Sequence, residues 1–103
     1  MAAEPMFDFE WDPVKAQTNQ KKHAITFDQA AGVFLDPLML TTFDEAHSQQ
    51  EERWHTMGHD SAGRLVVVSH TFRETGSGRA LIRLITAREA TRNERQYFEN
   101  EPR

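Results

Sequence analysis

RLVVVSHTFRETGSGRALIRLITA, residues 64–87, sets the architecture of this 103-residue chain. It opens with a β-branched run, RLVVVSHTF, of strong strand propensity. RETGSGR then supplies two glycines for a turn, and ALIRLITA begins a second strand. Upstream, RWHTMGH (residues 53–59) reads as another strand, joined to the first by DSAG, where Gly63 is available for a positive φ. Three consecutive strands with short connections form an antiparallel meander, and such a sheet buries one face under helices.

The remaining segments supply those helices. MFDFEW alternates Phe7, Phe9 and Trp11 with Asp8 and Glu10, a period of two that suits a half-buried strand. Asp12 and Pro13 then read as N-cap and first helical residue of a helix to about His23. Thr26 with Gln29 three residues later is a capping box, and Phe27, Ala30, Ala31 and Phe34 continue at helical spacing until the residue before Pro37. LMLTTF (residues 38–43) is a short strand and DEAHSQQEE (residues 44–52) a polar loop. REATRNERQYFE closes the chain as a helix with Ala90 and Tyr97 inward. Condensed, the order is β-α-α-β-β-β-α. The expectation is one α+β domain over residues 1–103, an antiparallel sheet with helices packed on one face.

Composition narrows the function classes. The chain has no cysteine, hence no disulfide framework, thiolate zinc site or cysteine nucleophile. No apolar run approaches the roughly 20 residues of a membrane span. The acidic start MAAEPMFDFEW lacks the pattern of a secretory signal, so a cytoplasmic protein is expected. The net charge of -4 conceals an asymmetry: residues 1–52 sum to -7 and residues 53–103 to +3. All nine basic residues of the second half are arginines, whose planar fork grips phosphate or carboxylate at two points.

Strand alternation places Arg53, His55 and Met57 on one face of their strand. It places Leu81, Arg83 and Ile85 opposite Ile82, Leu84 and Thr86, the latter set packing on helices. Arg83 therefore points away from the helices, either as a solvent-facing residue or as an anion clamp. Glu51 and Glu52 precede Arg53 directly. Metal-free RNA cleavage needs a base for the 2′-hydroxyl, an acid for the leaving oxygen and cations for the phosphorane. Glu52, one of His23 or His55, and Arg53, Arg83 and Arg88 are such a kit. The histidines show no metal-ligand spacing, and no cofactor motif occurs. In NQKKHAITF (residues 19–27), Lys21, Lys22 and His23 suit the negative end of a helix dipole and equally suit a phosphate site.

FEWDPVKAQTNQKKHAITFDQAAGVFLDP, HSQQEERWHTMGHDSAGRLVVVSHTFRE and IRLITAREATRNERQYFE together resemble the BrnT toxin family from about Phe9 to Phe98. The resemblance implies a RelE-like, microbial-ribonuclease-like fold. It also implies a bacterial ribonuclease toxin of a type II toxin–antitoxin system, acting in the cytoplasm on cellular RNA. The implied partner is a BrnA-type antitoxin that dimerises, carries a DNA-binding domain and represses the operon with the toxin, so that operator DNA is met through the antitoxin. Carried over, the family motifs mark Lys22 and His23, Glu52 and Arg53, Arg83, and Arg88. The roles expected are Glu52 as base, His23 as acid, Arg53, Arg83 and Lys22 as phosphate holders, and Arg88 orienting RNA or bracing Glu52. Lys15 and Asn19 match as well. Two positions depart: Ala24 replaces the usual glycine, and Thr86 the usual serine. The other reading is a catalytically inactive subunit that binds its antitoxin for transcriptional autoregulation. A metal hydrolase is a third.

Overall fold

A computed structural model describes residues 6–102; residues 1–5, the start of the acidic N-terminal stretch, and residue 103 lie outside the described residues. The elements are β1 (Met6–Glu10), α1 (Pro13–His23), α2 (Phe27–Ala31) running into a 3₁₀ turn (Gly32–Leu35), and β2 (Leu40–Phe43). A short 3₁₀ turn (Glu45–His47) follows, then β3 (Trp54–His59), β4 (Leu65–His70), β5 (Arg73–Gly76), β6 (Arg79–Glu89) and α3 (Arg92–Asn100). The strands form one sheet in the order β1-β6-β4-β3-β2, with β5 beside β6.

The α+β class and the meander β3-β4-β6 stand as expected, and the sheet is richer than the condensed order. Both Leu40–Phe43 and RETG are strands. RETG pairs with β6 because its turn needs only Ser77 and Gly78, at φ 36 and φ 78, the two positive values of a tight hairpin. β1 pairs with β6 in parallel, Met6 opposite Arg79 through Glu10 opposite Arg83, so the sheet is mixed.

Helix punctuation follows the sequence. Asp12 Oδ1 accepts the backbone N–H of Val14 at 2.8 Å, with Pro13 in the first turn. Thr26 and Gln29 satisfy each other's backbone N–H groups at 3.1 and 3.3 Å. α2 is shorter than expected and tightens after Ala31, where Gly32 passes so close to the 60–63 turn that a Cβ would lie 2.7 Å from Ser61 N.

The main core joins Ile25, Phe27, Ala30, Val33 and Phe34 to Val66, Val68, Ile82, Leu84 and Ala87. One detail departs from strict alternation. Ser69 pairs with Thr86 and His70 with Leu84, so Ile85 is an extra residue, a bulge. Beyond it the parity flips: Ala87 is buried, while Thr86, expected on the helix side, is exposed. The helices also divide between the faces. Leu65 and Val67 alternate with the core residues of β4 and are themselves buried. Phe98 of α3 is buried too and meets His59, the cross-strand neighbour of Leu65, edge to face at 5.5 Å. α3 thus covers one end of the second face, with Phe98 inward and Tyr97 exposed, the reverse of the expectation for Tyr97.

Candidate active site

The part of the second face not covered by α3 carries the polar residues. β6 crosses it and floors two hollows. The first, of about 400 Å³, is lined by Glu10 from β1, Glu51 and Glu52 from the loop before β3, Arg73 from β5, and Leu81 and Arg83. The second, of about 280 Å³, lies between Ile85 and Thr86 of β6 and the stripe Lys15, Thr18, Lys22 and His23 of α1.

α1 reaches that position through one residue. β1 leaves the edge of β6 after Arg83, and the buried side chain of Asn19 takes over at Ala87. Its Oδ1 accepts the Ala87 N–H at 2.9 Å. Its amide donates to the Ala87 carbonyl at 2.9 Å and to the Ile25 carbonyl at 3.1 Å. The amide imitates a neighbouring strand, satisfying two backbone groups of an otherwise open edge. Asn19 is structural, and it is what holds the basic stripe beside β6.

Four of the six expected site residues line these hollows, and Arg53 and Arg88 line neither. Glu52 and Arg83 line the first hollow together. Glu52 is exposed, with no hydrogen bond among the described residues, and Arg83 is ion-paired with Glu51. Arg53 lies just before β3, its backbone N–H donated to Ser48 Oγ at 2.9 Å. Its Nε is buried with no protein acceptor among the described residues, so part of its guanidinium is unpaired. Lys22 and His23 line the second hollow, away from Glu52. Arg88 does not brace Glu52. It grips Glu94 of α3 with two hydrogen bonds, 2.7 and 3.0 Å. That grip, with the Thr91 N–H, holds the Glu94 carboxyl down at about 2.

Ala24 keeps the conformation that suits glycine. It ends α1 at φ 57, ψ 31, its N–H bonded to the Gln20 carbonyl, while its own carbonyl accepts from Arg64 at 3.0 Å. The same arginine reaches Gln29 and Asp60, tying the join between the two helices to the 60–63 turn. His23 therefore sits at a regular helix end.

Sequence reasoning weighed His55 as an acid but passed over the two groups it joins. Ser69 Oγ lies 2.9 Å from His55 Nδ1, and His55 Nε2 lies 3.1 Å from Asp44 Oδ2. Asp44 also takes His47 Nδ1 at 3.0 Å. Burial pushes the Asp44 carboxyl up, but the His47 hydrogen bond and the nearby imidazoles hold it below its ordinary value. No spacing signal joins residues 44, 55 and 69; only strand register could have found them. A second histidine, His70, is buried on the core side, with Nε2 2.6 Å from the Thr56 hydroxyl and Nδ1 3.0 Å from the Thr71 carbonyl. Burial depresses its pKa, so the ring is kept neutral. Among the described residues, no group of three or more His, Asp or Glu side chains is placed to hold a metal ion.

Residues 11–94 match the family described as "Ribonuclease toxin, BrnT, of type II toxin-antitoxin system". The fold is similar to the crystal structure of the Brucella abortus ribonuclease toxin BrnT, with a TM-score of 0.55 and 25% identity, covering 84% of this chain and 99% of that one. No curated protein matches the chain. The match runs from Trp11 to Glu94, taking in the α1 stripe, the Glu51–Arg53 loop and all of β6, and by it the chain belongs to the BrnT family of ribonuclease toxins of type II toxin–antitoxin systems.

Proposed function

We propose that the open face of the sheet is an endoribonuclease site working without a metal ion, and that a BrnA-type antitoxin with a DNA-binding domain neutralises it and brings it to operator DNA. The observation that carries this reading is the joining of the two hollows by β6. Three carboxylates with Arg73 and Arg83 lie on one side, and a lysine–histidine stripe lies on the other. An RNA strand laid across β6 meets Arg83 and Lys22 as phosphate-holding cations, with His23 beside Lys22 and Glu52 on the other side to take the 2′-hydroxyl proton; Arg53, just before β3, is a further phosphate holder. His23, a position the family motif marks, is the acid expected from the sequence. Arg88 acts at one remove, by fixing α3. The Glu51–Arg83 pair is exposed on both sides, so a phosphate can exchange for the Glu51 carboxylate at little cost. Cytoplasmic RNA is the substrate class, and the acidic first half of the chain offers a surface for a basic antitoxin segment.

The test is RNA cleavage by the purified protein in chelator. Cleavage is expected in the unmodified protein. Glu52→Gln is expected to lower it by about 10²–10⁴-fold, the worth of a proton-transfer group, and Arg83→Ala to lower it by loss of a phosphate-holding cation. Cleavage that appears only with added divalent metal would refute the metal-free chemistry. A folded protein that cuts no RNA yet binds the small DNA-binding protein from the adjacent reading frame would make it an inactive regulatory subunit.

A further inference from the structure

Ser69, His55 and Asp44 form a continuous hydrogen-bonded chain on the face that carries both hollows. Ser69 faces Thr86, which lines the Lys22 hollow, across β4 and β6, and Arg83 of the Glu52 hollow lies three residues away along β6. His55 faces Ser69 across β3 and β4. Its two ring nitrogens are both engaged, Nδ1 by the Ser69 hydroxyl and Nε2 by the Asp44 carboxylate. The carboxylate accepts only, so Nε2 carries a hydrogen in either charge state of the ring. The Ser69 hydroxyl can turn round. It donates to Nδ1 when the ring is neutral and accepts from Nδ1–H when the ring is charged. One proton can therefore pass along the chain with no heavy atom moving. His23 has no comparable partner among the hydrogen bonds of the described residues, and it lies in the hollow that Glu52 does not line.

We propose that Ser69 is the catalytic hydroxyl that protonates the leaving oxygen, recharged by His55, which Asp44 positions. This rests on the RNA-cleavage reading and reassigns its acid from His23. In the step, the 2′-oxygen–phosphorus bond forms as the phosphorus–5′-oxygen bond breaks. Glu52 takes the 2′-hydroxyl proton. Ser69 gives its hydroxyl proton to the departing 5′-oxygen and receives the Nδ1 proton of the His55 imidazolium. The products are a 2′,3′-cyclic phosphate and a 5′-hydroxyl. Proton exchange with water then returns His55 and Glu52 to their starting states. The titratable groups that the structure sets against this chain are Asp44, bonded to His55, His47, bonded to Asp44, and His70 on the next strand.

The experiment compares two substrates: an RNA dinucleotide, and a uridine 3′-(4-nitrophenyl phosphate), whose leaving group departs without a proton. Ser69→Ala and His55→Asn are expected to cut the dinucleotide about 10²–10⁴-fold more slowly, the usual worth of a general acid. Both are expected to cut the nitrophenyl ester within a few-fold of the unmodified protein. Glu52→Gln should be slow on both substrates. Equal loss on both substrates in the Ser69 and His55 variants would mean a structural role and overturn the proposal. So would selective rescue of His23→Gln in their place, or parent-like rates on the dinucleotide. In those cases the ribonuclease reading stands. An unmodified protein that cuts neither substrate overturns the reading and the proposal together.

Discussion

At Ala24 the chain spends stability to keep a shape. An alanine at φ 57 carries a Cβ clash that glycine avoids, on the order of 1 kcal/mol. Ala24→Gly is expected to raise the unfolding free energy by about that much and leave RNA cleavage unchanged, as urea titration and an activity assay would show. Asn19 works in the other direction. Asn19→Ala strips partners from two backbone groups of the buried Ala87 and one of Ile25, at about 1–3 kcal/mol for each group left unpaired. A loss of several kcal/mol is expected, with increased hydrogen exchange at the Ala87 amide. The caps at Asp12 and Thr26 were legible because their chemistry is local, a side chain meeting backbone two or three residues on. Asn19 was ambiguous because its partner is 68 residues away, and nothing in its own neighbourhood names it.

Among the elements, α3 is fastened by charge as well as by Phe98. The Glu94 carboxyl, held at about 2 by Arg88, has a folded-state pKa below its ordinary 4.5. Its contribution is whole above pH 4.5 and is lost as pH falls toward 2. The pair is partly exposed, so solvent screening keeps it to about 1 kcal/mol. Arg88→Ala is expected to lower the melting temperature by a few degrees at neutral pH and by less at pH 3, measured by calorimetry. The strands themselves were legible from β-branched runs, and the β5–β6 hairpin was not. Its two-residue turn lies inside a glycine-rich stretch that reads as a longer loop. The bulge at Ile85 was equally hidden, because it is set by pairing with β4. It moves Thr86 out to the second hollow, and with it the floor of the basic side of the site.

For the molecule as a whole, acid acts first through His70. Its folded-state pKa lies below the ordinary 6.5, so the unfolded chain takes up the proton more readily. Stability is therefore expected to fall as pH drops below 6.5, before the carboxylates respond. His70→Gln should flatten that part of a melting-temperature profile, whatever its effect on the absolute value. The site was partly legible in the same way as the fold. Glu52 and Arg83 do meet in one hollow, while His23 and Lys22 line another and Arg88 is bound to Glu94. Motif order gives the cast, and only tertiary pairing tells which members stand together. β6 is that pairing: β1, β4, β5 and α1 all dock on it, and all precede it in the chain. A ribosome making this protein therefore emits the cationic stripe, the carboxylates and the serine as disconnected pieces. The long separation of β1 from β6 also makes their union slow. The proposed site is thus incomplete on the nascent chain until residues 79–89 have emerged.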